Sequence, residues 1–142
     1  MFRTTRTHEF CYGHRVYKHE TKCSHLHGHN ARVEFTCEGE QLDDVGRLID
    51  FSVMKSTLCQ WLEDHWDHRM LLYVEDPISP VLIALDPHVT AVQFNPTAEN
   101  MARYLVETVG PLVLEGTGVR LVSCTLWETS KCSATYGLDM QP

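Results

Sequence analysis

The chain has 142 residues, enough for one domain, here taken as residues 1–142, with a sizeable apolar core and no need of a covalent staple. Its hydrophobic fraction of 43% is ordinary for a soluble globular protein, and no apolar run approaches the ~18 residues of a membrane span. The formal charge of −7 argues against the basic surface that non-specific nucleic-acid binding needs, while leaving room for a local basic pocket that takes an anionic substrate. No apolar stretch follows the basic residues at the start of the chain, so a signal peptide is not expected and a cytoplasmic location is. Cys11, Cys23, Cys37, Cys59, Cys124 and Cys132 form no C-x-x-C pair and are expected to be reduced.

Phe2 to Tyr12 reads as a strand, with Phe2, Thr4, Arg6, His8, Phe10, Tyr12 and His14 in one phase of a period-two pattern. A polar loop follows from Lys18 to Ser24. His27, His29, Ala31, Val33, Phe35 and Cys37 then alternate with Arg32, Glu34, Thr36 and Glu38, which predicts a strand with one buried side. Asp43, Asp44 and Gly46 mark a turn. The first helix starts near Asp50 or Ser52, either of which can cap it, and Phe51, Met54, Leu58, Trp61, Leu62 and His65 recur at helical steps. Ser79-Pro80 opens a short helix through Leu85, and Val89 to Phe94 reads as a short strand. Asn95-Pro96 opens a second long helix with Ala98, Met101, Leu105 and Val109 on one face, ended or broken at Gly110-Pro111. Val119 to Glu128 is the final strand. This order predicts an α+β fold, an antiparallel sheet of about four strands with helices on one face. Its open edges must be covered or paired between subunits.

Eight of the nine histidines fall in two clusters, His8, His14, His19, His25, His27 and His29 in the first, His65 and His68 in the second. His27-Gly28-His29 is the strongest local signal. Positions i and i+2 of a strand point the same way, so both imidazoles can reach one ion, and Gly28 leaves room for close approach. His14, in phase with Phe10 and Tyr12, supplies a third ligand if the two strands pair. Three imidazoles suit zinc and leave one coordination position open, as catalysis requires. A lone H-x-H is weak evidence, but here it begins an apolar strand face, where polar groups need a partner.

Other residues are read less sharply. Cys23 is either a low-pKa base beside the metal or a fourth ligand, and spacing does not decide. Asp67-His68 could pair a carboxylate with an imidazole, but adjacent side chains on a regular element rarely bond, which favours a plain surface pair. Glu128, in phase with Val122, Cys124 and Leu126, could face inward and accept from a ring with adjacent N–H donors. The default for a strand-end charge is solvent.

Six segments sharpen this reading. Phe10 to Arg15 has the form F-x-x-x-H-R, and Cys23 to His29 the form C-x-x-x-H-G-H. Gly46 to Phe51 reads G-x-x-x-D-F, Leu62 to His68 ends in D-H, and Asn95 to Asn100 reads N-P-T-x-E-N. Glu128 to Tyr136 has the form E-T-x-x-x-x-A-x-Y. In this order, across nearly the whole chain, they resemble the 6-pyruvoyltetrahydropterin synthase family, most nearly its 6-carboxytetrahydropterin branch.

The resemblance implies the tunnelling fold, an antiparallel sheet with two helices on one face, whose sheets join into a barrel in a homohexamer of two trimers. It implies a site between subunits, with His14, His27 and His29 binding zinc. Cys23 would be the catalytic base, Asp67 and His68 a proton relay, and Glu128 the pterin anchor. Thr97 and Glu99 would lie at the substrate. That substrate would be 7,8-dihydroneopterin triphosphate, converted to 6-carboxy-5,6,7,8-tetrahydropterin, acetaldehyde and triphosphate on the route to queuosine. Leu71 to Phe94 is longer than in the shortest family members. Arg15, Lys18, Lys22 and Lys131 are candidates for the triphosphate.

Three other readings compete. A pyruvoyl-branch enzyme would release triphosphate without breaking the carbon–carbon bond, but usually has a longer gap between its cysteine and H-G-H. A cupin would use Glu34, which falls on the wrong strand face. A non-enzymatic zinc module would explain the histidines but not Cys23, Asp67-His68 and Glu128 together.

Overall fold

Two long strands with alternating burial form the centre of the sheet. In this computed structural model, which describes residues 1–140, β1 (Phe2–His14) pairs antiparallel with β2 (His27–Gly39). The register runs from Phe2 opposite Gly39 to His14 opposite His27. Directly opposed residues share a face, so Phe10 and Tyr12 meet Ala31 and His29 on the buried side. Cys11 and Asn30 meet on the other.

The next element is helix α1, residues 51–65, continuous through a π-helical turn at Lys55–Cys59. Asp50 is its cap, accepting from the Ser52 amide at 2.9 Å. Strand β3 (Arg69–Tyr73), helix α2 (Ile78–Leu85) and strand β4 (Val89–Val92) follow as a short parallel crossover unit. Helix α3, residues 98–113, also contains a π-helical turn, Leu105–Val109. It does not stop at Gly110-Pro111 but runs on to Val113. Gly110 sits where an added Cβ would be 2.8 Å from Leu121 Cβ, so a side chain there would push helix and sheet apart. Strands β5 (Arg120–Trp127) and β6 (Ser133–Gly137) complete the sheet.

The strand order is β4-β3-β1-β2-β5-β6. The strands β1, β2 and β5 are antiparallel, as expected, and β6 joins them antiparallel at the far edge. The sheet as a whole is mixed, because β3 lies parallel to β1 and β4 parallel to β3. The expectation of a purely antiparallel sheet is corrected on this side. The sequence reading contained neither β3 nor β6.

The core lies between the sheet and the two long helices. Met54, Leu58 and Leu62 of α1 and Met101, Leu105 and Val109 of α3 pack with Phe10, Val33, Phe35, Cys124 and Leu126 of the sheet. Three of the six cysteines, Cys37, Cys59 and Cys124, are buried there, and all six are free thiols. Among the described residues no helix is long and apolar enough to cross a membrane.

Candidate metal centre and active site

The β1–β2 register brings His14, His27 and His29 together at one end of the buried face. His14 Nε2 lies 3.1 Å from His27 Nε2 and 3.1 Å from His29 Nε2. Second partners fix the tautomers. His14 Nδ1 donates to the Pro96 carbonyl at 2.6 Å, and His27 Nδ1 donates to the His25 carbonyl at 2.7 Å. With Nδ1 donating in each ring, the Nε2 atoms are the ones left to face each other as metal donors. Without a cation between them their lone pairs repel. A tetrahedral zinc with bonds of about 2.0–2.1 Å needs nitrogens roughly 3.3 Å apart, so the donor set fits the ion. Burial pushes the His14 imidazole down to about 4, despite the Pro96 carbonyl, and lowers His29 as well, against the opposing pull of Glu128. Neutral rings are the metal-binding form.

Glu128 follows directly on β5 and points inward, as its phase predicts and the solvent default does not. Its Oε1 is 3.9 Å from His14 Nε2 and its Oε2 is 3.9 Å from His29 Nε2. The Tyr12 hydroxyl donates to Oε1 at 3.5 Å. Burial, and then the Glu128 charge, raise the Tyr12 phenol well above its ordinary range, so it stays a donor.

Cys23 sits half-buried in a 3₁₀ turn, Lys22–Ser24, whose backbone is tied to β1's end by the Val16 amide on the Cys23 carbonyl (2.8 Å). The thiol is not part of the three-histidine group, whose ligand atoms all lie within 4.8 Å of one another.

Asp67 and His68 do bond, His68 Nδ1 to Asp67 Oδ2 at 2.7 Å. The expectation that adjacent side chains do not bond is thereby corrected, while the His68 ring does lie at the surface. These residues lie past the end of α1, and His68 takes a left-handed backbone with φ of 59°, which turns its ring back onto its neighbour. The pair is anchored to β1, since the Cys11 amide donates to Asp67 Oδ1 at 3.0 Å and the His68 amide to the Cys11 carbonyl at 2.7 Å. Burial opposes the Asp67 charge, but the Cys11 amide and the His68 ring outweigh it and hold the carboxyl below its ordinary value. A cleft of about 490 Å³ beside His27 and His29 is lined by His68 as well.

Residues 3–139 match the family model described as 6-pyruvoyl tetrahydropterin synthase. The chain belongs to that family. The 6-carboxy-5,6,7,8-tetrahydropterin synthase of Rickettsia conorii is 32% identical over 134 residues, covering 93% of this chain and 97% of that one. Among solved structures, an uncharacterized protein from Wolinella succinogenes superposes with a TM-score of 0.84 at 23% identity, covering 96% of this chain and 98% of that one. The Caenorhabditis elegans 6-pyruvoyl tetrahydropterin synthase superposes with a TM-score of 0.69 at 24% identity, covering 96% and 94%. The fold is thus the tunnelling fold of the 6-pyruvoyl tetrahydropterin synthase family.

The rest of the family's motif residues take supporting places. Thr97 caps α3 by accepting from the Asn100 amide at 3.1 Å, and Glu99 is exposed in the first turn; neither lines the cleft beside the histidines. Arg15 is not available to a phosphate. Its guanidinium forks onto the buried Asp76 carboxylate, Nε to Oδ2 at 2.6 Å and Nη2 to Oδ1. Asp76 and Asn95 are absent from the sequence reading as functional residues. Asn95 accepts from the Tyr17 amide and donates to the Tyr17 carbonyl, both at 2.9 Å. It thereby ties the loop after β1 to the turn whose Pro96 carbonyl orients His14. The signal that could have found it was its place beside Pro96 in the N-P-T-x-E-N motif.

Proposed function

We propose that this chain converts 7,8-dihydroneopterin triphosphate and water to 6-carboxy-5,6,7,8-tetrahydropterin, acetaldehyde and triphosphate, with zinc as cofactor, on the route to queuosine. One observation carries the reading: three histidines, two of them with their tautomers fixed by backbone carbonyls, converge with Glu128 at one end of the sheet. Relatives such as the Rickettsia conorii protein carry the name of that activity.

Zinc held by Nε2 of His14, His27 and His29 would supply a Lewis acid that lowers the pKa of the substrate's side-chain hydroxyls. Glu128 accepts the adjacent N–H donors of the pterin ring and so aims the side chain at the histidines. Tyr12 holds Glu128 in place through its hydroxyl. Cys23 takes a proton from the substrate side chain as the base. His68, its tautomer set by Asp67, passes protons to and from the reacting carbons. Thr97 and Glu99 serve the substrate from the start of α3. The open edges β4 and β6 support assembly of the sheets into a barrel, a homohexamer of two trimers with sites completed between subunits.

The test is a product assay. Zinc-loaded protein given 7,8-dihydroneopterin triphosphate should form acetaldehyde and the carboxy-pterin in equal amounts. Triphosphate release without acetaldehyde would move the protein to the pyruvoyl reaction. No turnover at all, with zinc bound, would leave a binding module.

A further inference from the structure

We propose that the aromatic hollow between the end of α1, strand β4 and helix α3 binds a small planar aromatic carboxylate. The inference rests on the hollow's own chemistry and not on the reaction proposed above. None of His14, His27, His29 and Glu128 lines it. The cavity is about 310 Å³, at the small end of ligand pockets and enough for one or two fused rings. Its walls are the rings of Trp61, Trp66, Phe94 and Tyr104. Trp61 and Trp66 meet at 77° with centroids 5.1 Å apart, which makes a corner. Trp66 and Tyr104 lie 27° from parallel at 6.0 Å. A flat ring entering such a corner stacks on one wall and meets the edge of another. His65 stacks on Trp61 at 4.5 Å and donates from Nδ1 to the Trp61 carbonyl at 2.9 Å, which holds the outer wall in place.

The polar groups around the hollow are donors without acceptors. Trp66 is 2% exposed, and its indole N–H has no partner among the described residues. Trp127 Nε1 is the only sealed side-chain polar atom left unpaired among them, so the Trp66 N–H stays reachable at the hollow that Trp66 lines. A donor buried to this degree calls for an acceptor, and none of its neighbours supplies one. The Trp61 N–H, the Tyr104 hydroxyl and the Gln93 amide are likewise unpartnered among the described residues. Charge completes the match. Arg69 stands opposite Tyr12 in the β1–β3 register, on the helix side of the sheet. Its Nη2 donates to the Asp64 carbonyl at 3.3 Å, and it meets no carboxylate among the described residues. By contrast Arg15 meets Asp76, Arg47 meets Asp43 and Asp50, and Arg103 meets Glu107. Asp64 is the only acid lining the hollow, and its Oδ1 is taken by the Gln60 amide at 2.9 Å. The unpaired guanidinium is a planar fork that fits a carboxylate beside an aromatic ring. An aromatic cation would meet this positive charge. A bare phosphate would answer the charge and leave the aromatic walls empty.

The test is equilibrium dialysis of the full chain, zinc-loaded and zinc-stripped, against 2-naphthoate and its uncharged isostere 2-naphthamide. Naphthoate should bind at one site per chain with the same affinity in both metal states. Naphthamide should bind about tenfold more weakly or worse, the loss of a charge-assisted hydrogen bond. Arg69→Gln should bring naphthoate down to the naphthamide level and leave naphthamide unchanged. Trp61→Leu, which removes a partly exposed wall, should weaken both probes several-fold. Arg6→Gln, outside the hollow, should change neither. If Arg69→Gln does not fold, Trp61→Leu and the preference for naphthoate over naphthamide decide. Equal binding of the two probes, or binding of neither, would overturn the site. So would naphthoate binding that appears only with zinc, which would place the probe at the histidines. An Arg69→Gln variant that folds and loses both probes alike would make the arginine a brace for the wall and would also overturn it.

Discussion

His14 shows how much one residue's surroundings decide. Its ring is 1% exposed, packed against the Tyr12 ring and fixed by the Pro96 carbonyl. Burial lowers its pKa to about 4, against 6.5 for a free imidazole. In the metal-free protein the unfolded chain therefore takes up this proton near pH 6.5, and the folded protein only near pH 4. Stability is full above pH 6.5 and falls between 6.5 and 4, by up to about 3 kcal/mol from this group at ~1.4 kcal/mol per unit. Urea unfolding in EDTA across that range should show the slope, and His14→Gln should flatten it. An unchanged slope in the variant would mean that other groups carry the acid sensitivity. At Cys23, outside the histidine group, Cys23→Ala should keep zinc while turnover collapses by at least a hundredfold, the scale of a lost general base. Metal analysis beside a rate assay checks this, and zinc loss would make the thiol a ligand. The histidine group was legible, because strand phase puts His14, His27 and His29 on one face. The Asp67–His68 bond was not, because it depends on a left-handed backbone that no side-chain pattern announces.

At the scale of elements, the start of α3 does two jobs. Thr97 caps the helix, and the preceding Asn95-Pro96 turn holds both the β1 loop and the His14 ring. Asn95→Ala, which loosens the turn whose Pro96 carbonyl is the outer partner of His14, should therefore lower zinc affinity up to about 10-fold, the low end of what losing such a partner costs. Chelator competition would measure it. Asp50→Ala, at the other long helix's cap, should cost about 1 kcal/mol of stability and leave zinc affinity alone. Equal effects of the two changes on zinc would show that Asn95 acts through general stability. The long elements were legible from their periods. Strand β3 was not, because Leu71 and Leu72 are both buried and the five-residue run shows no alternation. Strand β6 is as short, and only one of its five residues is buried. The π-helical turns within α1 and α3 left no mark in the apolar pattern, since the buried face continues through them.

The whole molecule is a sheet with helices on one face and polar residues on the other. On the helix-free face, hydroxyls pair across strands, Thr5 with Thr36 at 3.0 Å and Thr125 with Thr135 at 2.7 Å. The sheet ends in two open edges, β4 and β6, and β6 has no proline or lysine to blunt it. Such an edge is a template for another strand. The protein should therefore run as a hexamer, six times its 16.3 kDa chain mass, in light scattering. The hairpin register tells which change tests this. The Glu128 amide donates to the Cys132 carbonyl, so Ala134 and Tyr136, two and four residues on, make the bonds to β5. The Thr135 amide then points away from β5, toward the open edge. Thr135→Pro removes that outward donor and leaves the β5–β6 ladder intact. It should lower the assembly size while His14, His27 and His29 still hold zinc. If sites are completed between subunits, turnover should fall with the loss of assembly. A wild-type monomer with full activity would confine the site to one chain and rule out the barrel as its frame.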